Sequence, residues 1–225
     1  SENIERVKRV TNTINIPLIA DMDTGYGSPL NVIRTVQECV NVGVAGIILE
    51  DQSWPKKCGH MEGKSVISNE EHVEKIKAAV HARGDSELVI IARTDSRATH
   101  SLEEAIRRGK KLEESGADVI FIEAPQTEEE IRIIGQEIKL PMLINLIEGG
   151  KTPNLPISDL EELGFRIILY PLTSIFATAY SMQKLAAHVR SKKTTGGYNE
   201  ILTFKEFENV VDLQKYKDLD SKFLS

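Results

Sequence analysis

"AGIILEDQSWPKKCGHMEGK", residues 45–64, joins an apolar run to a long polar segment through two adjacent acids. The run is continuous rather than alternating, as expected of a strand buried on both faces of a parallel sheet. Five more stretches repeat it: "IPLIADMD" (16–23), "LVIIARTD" (88–95), "DVIFIEAP" (118–125), "LPMLINLI" (140–147) and "FRIILYPL" (165–172). Helical patterns lie between them. Ser28-Pro29 sets an N-cap before a first-turn proline. Ser68, Ser101, Ser158 and Thr203 each precede a glutamate by three residues, the capping-box spacing. Gly43, Gly116 and Gly164 stand where helices should stop. The repeated β-α order with short connections predicts an α/β parallel fold.

An open dinucleotide-binding sheet would carry a G-x-G-x-x-G turn after its first strand, and "DTGYGSP" lacks that spacing. A barrel instead gathers polar groups at the C-terminal ends of its strands. Here those ends carry Asp21 and Asp23, Glu50 and Asp51, Arg93 and Asp95, Glu123, Asn145 and Glu148, and Thr173. The expectation is a (β/α)8 TIM-type barrel with its first two strands absent from this chain, plus C-terminal helices. "SENIERVKRVTNTI" reads as the rear half of an amphipathic helix. Residues 1–190 are expected to form the N-terminally incomplete barrel domain, and 191–225 a linker and helical tail. Phe204, Phe207, Val210, Val211 and Leu213 give that tail an apolar face.

Acidic residues (34) exceed basic ones (28) and no block of like charge stands out, which argues against nucleic acid and anionic membranes as partners. No run approaches membrane-spanning length, and no stretch reads as a signal peptide. Cys39 and Cys58 are the only cysteines. Their scarcity suits a reducing, cytoplasmic compartment, and a disulfide between them is not expected.

Asp21 and Asp23 are two apart on a strand and share a face. With Glu50 at the next strand end they suit Mg²⁺, which takes oxygen ligands; Mn²⁺ is the other candidate. The alternative is that these acids cap helices or pair with Arg93 and Arg34. Arg93 at a buried strand end needs a partner: a substrate carboxylate or phosphate held by its fork, or Glu50 or Glu123. About seventeen residues separate Glu50 from the helix near Ser68, which is long for a βα connection and typical of lids. Within that segment Lys56, Lys57 and His60 flank Cys58, and adjacent positive charge favours a thiolate usable in acid–base or nucleophilic chemistry. Zinc binding by Cys58 and His60 is the weaker reading. Asn145 hydrogen-bonds a substrate or a backbone group; Glu123 orients a base or water, or pairs with Arg93. Tyr26 and Trp54 line the mouth or anchor local packing. His72, His81, His100 and His188 read as solvated surface residues.

Taken together, "ADMDTGYG", "AGIILEDQSWPKKCGH", "ARTD", "FIEAP" and "LINLIEGGKTP", in this order, resemble the isocitrate lyase / phosphoenolpyruvate mutase superfamily over nearly the whole chain. The loop looks closest to the branch of petal death protein and 2-methylisocitrate lyase. The resemblance implies a (β/α)8 barrel with Mg²⁺ held by Asp21, Asp23 and Glu50. It implies a gating loop in which Lys56, Cys58, Gly59 and His60 act, with Cys58 exchanging a proton at the cleaved carbon. Arg93, Glu123 and Asn145 match substrate-binding positions, and Tyr26 and Thr173 join the expected substrate contacts. The phosphoenolpyruvate phosphonomutases usually have asparagine where Cys58 stands, which shifts the expectation toward C–C cleavage of a small 2-hydroxy di- or tricarboxylate or of oxaloacetate. The alternatives are phosphonomutase chemistry on carboxyphosphoenolpyruvate, oxaloacetate hydrolysis or decarboxylation, and an inactive barrel serving as a binding or assembly module. The family also implies a homotetramer with a swapped terminal barrel helix.

Overall fold

The computed structural model describes residues 2–59 and 61–223. Two compact units succeed each other, Ser1–Pro171 and Leu172–Ser225. In the first, six strands alternate with helices: α1 (Glu2–Thr11), β1 (Ile19–Asp21), α2 (Pro29–Asn41), β2 (Gly46–Glu50), α3 (Asn69–Arg83), β3 (Val89–Thr94), α4 (Ser96–Thr99), α5 (Leu102–Glu114), β4 (Val119–Ile122), α6 (Glu128–Glu137), β5 (Met142–Asn145), α7 (Ile157–Glu162) and β6 (Phe165–Leu169). The strands pair in chain order, every pair parallel, as one curled six-stranded sheet. The expected α/β architecture is therefore present, with the six strands read from sequence.

Alternation along each strand divides the core in two. Ala20, Ile47, Leu49, Ile90, Ala92, Ile120, Ile122 and Ile144 point into a large cluster shared with helix residues such as Val36, Ile76, Leu112 and Ile131. Ile48, Ile91, Val119, Phe121 and Leu143 form a second cluster made of strand residues alone, with Ile19 and Ile167 against it. This is the concave face of the sheet. Fully burying side chains of this size stabilises by roughly 1.5–3 kcal/mol each, so both faces hold the sheet in register.

Most helix starts follow the expected chemistry. Ser68, Ser101 and Thr203 accept the backbone N–H of Glu71, Glu104 and Glu206. Ser158 does not: α7 begins at Ile157 with Pro156 as its cap, because proline cannot donate a backbone hydrogen bond and already closes the preceding segment. Gly43, Gly116 and Gly164 take positive φ at helix ends. In the second unit, α8 (Thr173–Lys192), α9 (Phe204–Val210) and α10 (Leu213–Phe223) contain no buried residue. Phe204, Phe207, Val210 and Phe223 are among their exposed apolar side chains. Among the described residues no helix is long and apolar enough to cross a membrane.

Candidate active site

The concave face changes character at the C-terminal ends of its strands. Two residues beyond Ile19, Ile48, Ile91, Phe121 and Leu143 stand Asp21, Glu50, Arg93, Glu123 and Asn145. The period of two aims them into the same space as the apolar residues below. Register brings the rows level, with Glu50 opposite Arg93. Glu50, Arg93, Glu123 and Asn145 are buried.

Arg93 is the centre of this layer. Its Nε donates to Asp95 Oδ2 at 2.9 Å and its Nη2 to Asp95 Oδ1 at 3.2 Å. Glu50 lies 3.6 Å and Glu123 3.7 Å from the same guanidinium, which also sits 5.0 Å from the centroid of the Phe121 ring. Asn145 Nδ2 donates to Glu123 Oε2 at 3.1 Å. Burial alone would lower the arginine pKa, but Glu123, Asp95 and Glu50 outweigh it and raise it. Asp95 is itself fixed from behind: Asp51 accepts its backbone N–H at 2.8 Å, the Thr94 hydroxyl at 2.6 Å and Arg108 Nη1 at 3.0 Å.

The segment after β2 is an excursion with a paired neck. Gln52 bridges Val66, Ser53 N–H donates to the Ser65 carbonyl at 2.9 Å, and Ile67 N–H donates to the Asp51 carbonyl at 2.8 Å. The Gln52 side chain both donates to and accepts from the Lys57 backbone. The tip reaches back over the strand ends. A Cβ on Gly59 would stand 2.1 Å from Glu123 Oε1 and 2.6 Å from Arg93 Nη2, so only glycine seats there.

Lys56 carries its ammonium into the acidic group. Its Nζ lies 2.5 Å from Asp23, 3.5 Å from Glu50 and 3.9 Å from Asp21. Burial pulls the lysine pKa down, but the hydrogen bond to Asp23 and the surrounding carboxylates hold it above its usual value. Burial pushes Glu50 the other way, up to about 7, against the pull of Arg93 and Lys56. Among the described residues neither Glu50 oxygen has a hydrogen-bond partner. As the side chains stand, the described residues contain no set of three or more His, Cys, Asp or Glu gathered closely enough to hold a metal ion. The cation among Asp21, Asp23 and Glu50 is the lysine ammonium. The lysines beside Cys58 are thus engaged elsewhere, since Lys57 Nζ donates to the Gly63 carbonyl at 2.9 Å. Their adjacency in sequence does not translate into contact with the thiol, because successive side chains diverge from an extended loop. Cys58 is free and exposed, and Cys39 is free and buried.

The family model described as phosphoenolpyruvate phosphomutase matches residues 1–190. The chain belongs to the phosphoenolpyruvate mutase / isocitrate lyase superfamily. Within this superfamily of carbon–carbon lyases and mutases, it is 43% identical over 224 residues to 2,3-dimethylmalate lyase of Eubacterium barkeri, covering 99% of this chain and 78% of the relative. It is 42% identical over 225 residues to petal death protein of Dianthus caryophyllus, covering 99% of this chain and 71% of the relative. A crystal structure of 2,3-dimethylmalate lyase matches with TM-score 0.90 at 33% identity, covering 98% of this chain and 74% of that one. A phosphonopyruvate hydrolase crystallised with oxalate and Mg²⁺ matches with TM-score 0.85 at 28% identity, covering 99% of this chain and 78% of that one.

Within this superfamily chain, the expected site residues divide into groups. Asp21, Asp23, Glu50, Lys56, Gly59, Arg93, Glu123 and Asn145 meet at the strand ends through the contacts above. Tyr26 lines a cavity of about 610 Å³ together with Asp21, Asp23, Asn3, Glu2 and Arg6, and its hydroxyl accepts from Asn3 Nδ2 at 2.9 Å. Thr173 opens α8 in the second unit. His60 lies outside the described residues. His72, read from sequence as solvated, is buried, because α3 turns Asn69, His72, Ile76 and Ala79 toward the core on one helical stripe. Two residues escaped the sequence reading of the site. Asp95 was visible as a strand-end acid but not as the residue that grips Arg93. Lys64, whose Nζ lies 2.8 Å from Asp95 Oδ1, carried no signal beyond its place in an overlong loop.

Proposed function

We propose that this protein is a Mg²⁺-dependent lyase cleaving a carbon–carbon bond of a small 2-hydroxy di- or tricarboxylate, such as a 2-alkylmalate or 2-methylisocitrate. The observation that carries the proposal is the layer itself: an arginine clamp, an amide and a carboxylate group meet at one strand-end surface beneath a loop bearing Cys58. The donor set also fits a divalent cation. One lysine ammonium lies within 3.9 Å of Asp21, Asp23 and Glu50, so a cation already sits beside all three, and among the described residues Glu50 presents two buried oxygens that lack hydrogen bonds. Mg²⁺ fits such oxygen donors; Mn²⁺ is the alternative.

Bound there, Mg²⁺ would supply Lewis-acid charge where negative charge develops on substrate oxygens. The chain's own residues do the rest. Arg93 and Asn145 would bind a substrate carboxylate, the guanidinium through the N–H groups that Asp95 does not engage. Glu123, whose pKa burial raises despite the opposing pull of Arg93, would take the proton of the 2-hydroxyl. The bond between the hydroxyl-bearing carbon and its neighbour then breaks, its electrons passing to the neighbour as a keto acid forms. The Cys58 thiol would deliver a proton to that carbon, with His60 as the other acid–base candidate of the loop, Lys56 would hold the carboxylates in place, and Gly59 would let the loop approach closely enough to exclude water. Tyr26 would contribute to substrate recognition. The exposed apolar side chains of the second unit support assembly into a homotetramer through its terminal helices.

The test is keto-acid release by the protein from a 2-alkylmalate, 2-methylisocitrate and oxaloacetate in parallel. Turnover of one of the hydroxy acids, abolished by a chelator and in Cys58→Ser, is the expected result. Undiminished turnover in Cys58→Ser would remove the thiol from the acid–base role. Preference for oxaloacetate alone would favour the hydrolase or decarboxylase reading.

A further inference from the structure

We propose that Lys64 is a positioning residue that latches the loop after β2 onto the arginine clamp. This inference rests on the site proposed above, but its geometry is independent of the substrate. Lys64 Nζ donates to the Gly59 carbonyl at the tip of the loop and lies 2.8 Å from Asp95 Oδ1 at the base of the site. One ammonium therefore joins the tip of the loop to the floor of the site. The pair is wholly withdrawn from solvent: the side chains of Lys64 and Asp95 are 1% and 0% exposed. Surface ion pairs contribute little, but a buried one is costly to break on one side.

Asp95 gives the latch its reach. Its two oxygens already bind Arg93, and Asp51 pins its backbone. Gly59, held by Lys64 from below, lies so close to Glu123 and Arg93 that a side chain would not fit. Seating the loop and presenting the guanidinium are thus coupled through one carboxylate. The rest of the loop is fixed at its neck, through Gln52, Ser53, Ser65 and Val66, and at Lys56, which pairs with Asp23 and Glu50; Lys64 is the side chain that ties Gly59 itself to the floor of the site. Lysine suits the task because its ammonium offers three donors on a long flexible stem.

The experiment compares wild type, Lys64→Gln and Lys64→Arg as full chains. Glu-C protease, which cuts after Glu62 in the loop, reads the open population of the loop without any substrate. Emission of Trp54, the only tryptophan, reports the base of the same loop. Lys64→Gln is expected to be cut about tenfold faster, the effect of losing about 1.4 kcal/mol of closure. Its Trp54 emission should shift, and the folded fraction at the assay temperature, checked by thermal unfolding, should remain near complete so that cutting reports the loop and not global unfolding. Lys64→Arg should restore slow cutting. If Lys64→Gln does not fold, Lys64→Met takes its place. Wild-type cutting and emission in the folded variant would overturn the latch, as would Lys64→Arg cut as fast as Lys64→Gln. Because cleavage needs no turnover, the latch can fail while the lyase assignment stands, and the reverse.

Discussion

Asp95 holds Arg93 through two parallel hydrogen bonds, Nε to Oδ2 at 2.9 Å and Nη2 to Oδ1 at 3.2 Å, inside a site where the aspartate is fully buried. Opposing the burial that would raise it, Arg93 and Lys64 hold the Asp95 pKa below its ordinary value. Asp95→Asn removes the charge but keeps the shape. Breaking one side of a buried ion pair typically costs about 3–5 kcal/mol, and the remaining Glu50 and Glu123 near Arg93 should place this variant toward the lower end. Urea unfolding of wild type and Asp95→Asn measures it. A loss under about 0.5 kcal/mol, the size of an ordinary surface substitution, would show that Asp95 does not anchor the clamp.

Gly59→Ala addresses the roof of the site. The new methyl would have to displace Glu123 Oε1 or Arg93 Nη2, both under 3 Å from it. Gly59 does not take a positive φ, so its backbone accepts alanine and the variant tests the clash alone. Misplacement of about 1 Å can cost about 100-fold in rate, and kcat/KM for the preferred hydroxy acid should fall by an amount of that order. Retained kcat/KM would mean that the loop works in a more open position.

Metal binding is readable without turnover. Ligand at about 100 times its Kd stabilises the folded state by about 2.7 kcal/mol, so saturating Mg²⁺ should raise the melting temperature of wild type. Glu50→Gln keeps the side-chain volume but loses a charged donor, and its Mg²⁺-induced shift should shrink to near zero. An undiminished shift in Glu50→Gln would place the ion elsewhere.

His72 gives a pH-dependent test from behind the strand-end layer, 4.0 Å from Asp51. Burial, with Arg108 and Lys75 assisting, lowers its pKa in the folded state against the pull of Asp51. The unfolded chain then binds the proton more readily, so stability is retained above the unfolded pKa of about 6.5 and lost as pH falls below it toward the folded value. One group contributes a slope of at most about 1.4 kcal/mol per pH unit in that window. His72→Gln should flatten the difference between unfolding free energies at pH 7.5 and pH 5.5. An unchanged pH profile would assign the acid sensitivity to other groups.

Much of the site was legible before any coordinates. Asp21, Glu50, Arg93, Glu123 and Asn145 could be placed at strand ends because each closes an apolar run, whereas the expected shared face of Asp21 and Asp23 fails, since β1 stops at Asp21 and Asp23 turns to positive φ. The reading failed where polarity and position disagree. On α3 the buried stripe includes Asn69, His72 and Lys75 beside Ile76 and Ala79, so hydrophobic patterning does not reveal it. Ser158 matched a spacing rule that Pro156 overrode through its own backbone constraint.

What the chain's order of residues settles is therefore local: the β-α repeat, the helix caps at Ser68 and Ser101, the polar residues at the strand ends, and the excess length of the segment from Asp51 to Ser68. These follow from dihedral preferences and from periods of 2 and 3.6 residues. The tertiary structure decided the partners. It sent Lys56 to Asp23 rather than to Cys58, joined Lys64 to Asp95 across 31 positions, and set Asp51 behind Asp95 across 44. Ion pairs depend on distance in space. A long flexible side chain on a folded-back loop has several acids within reach, and only the packed sheet determines which of them it meets.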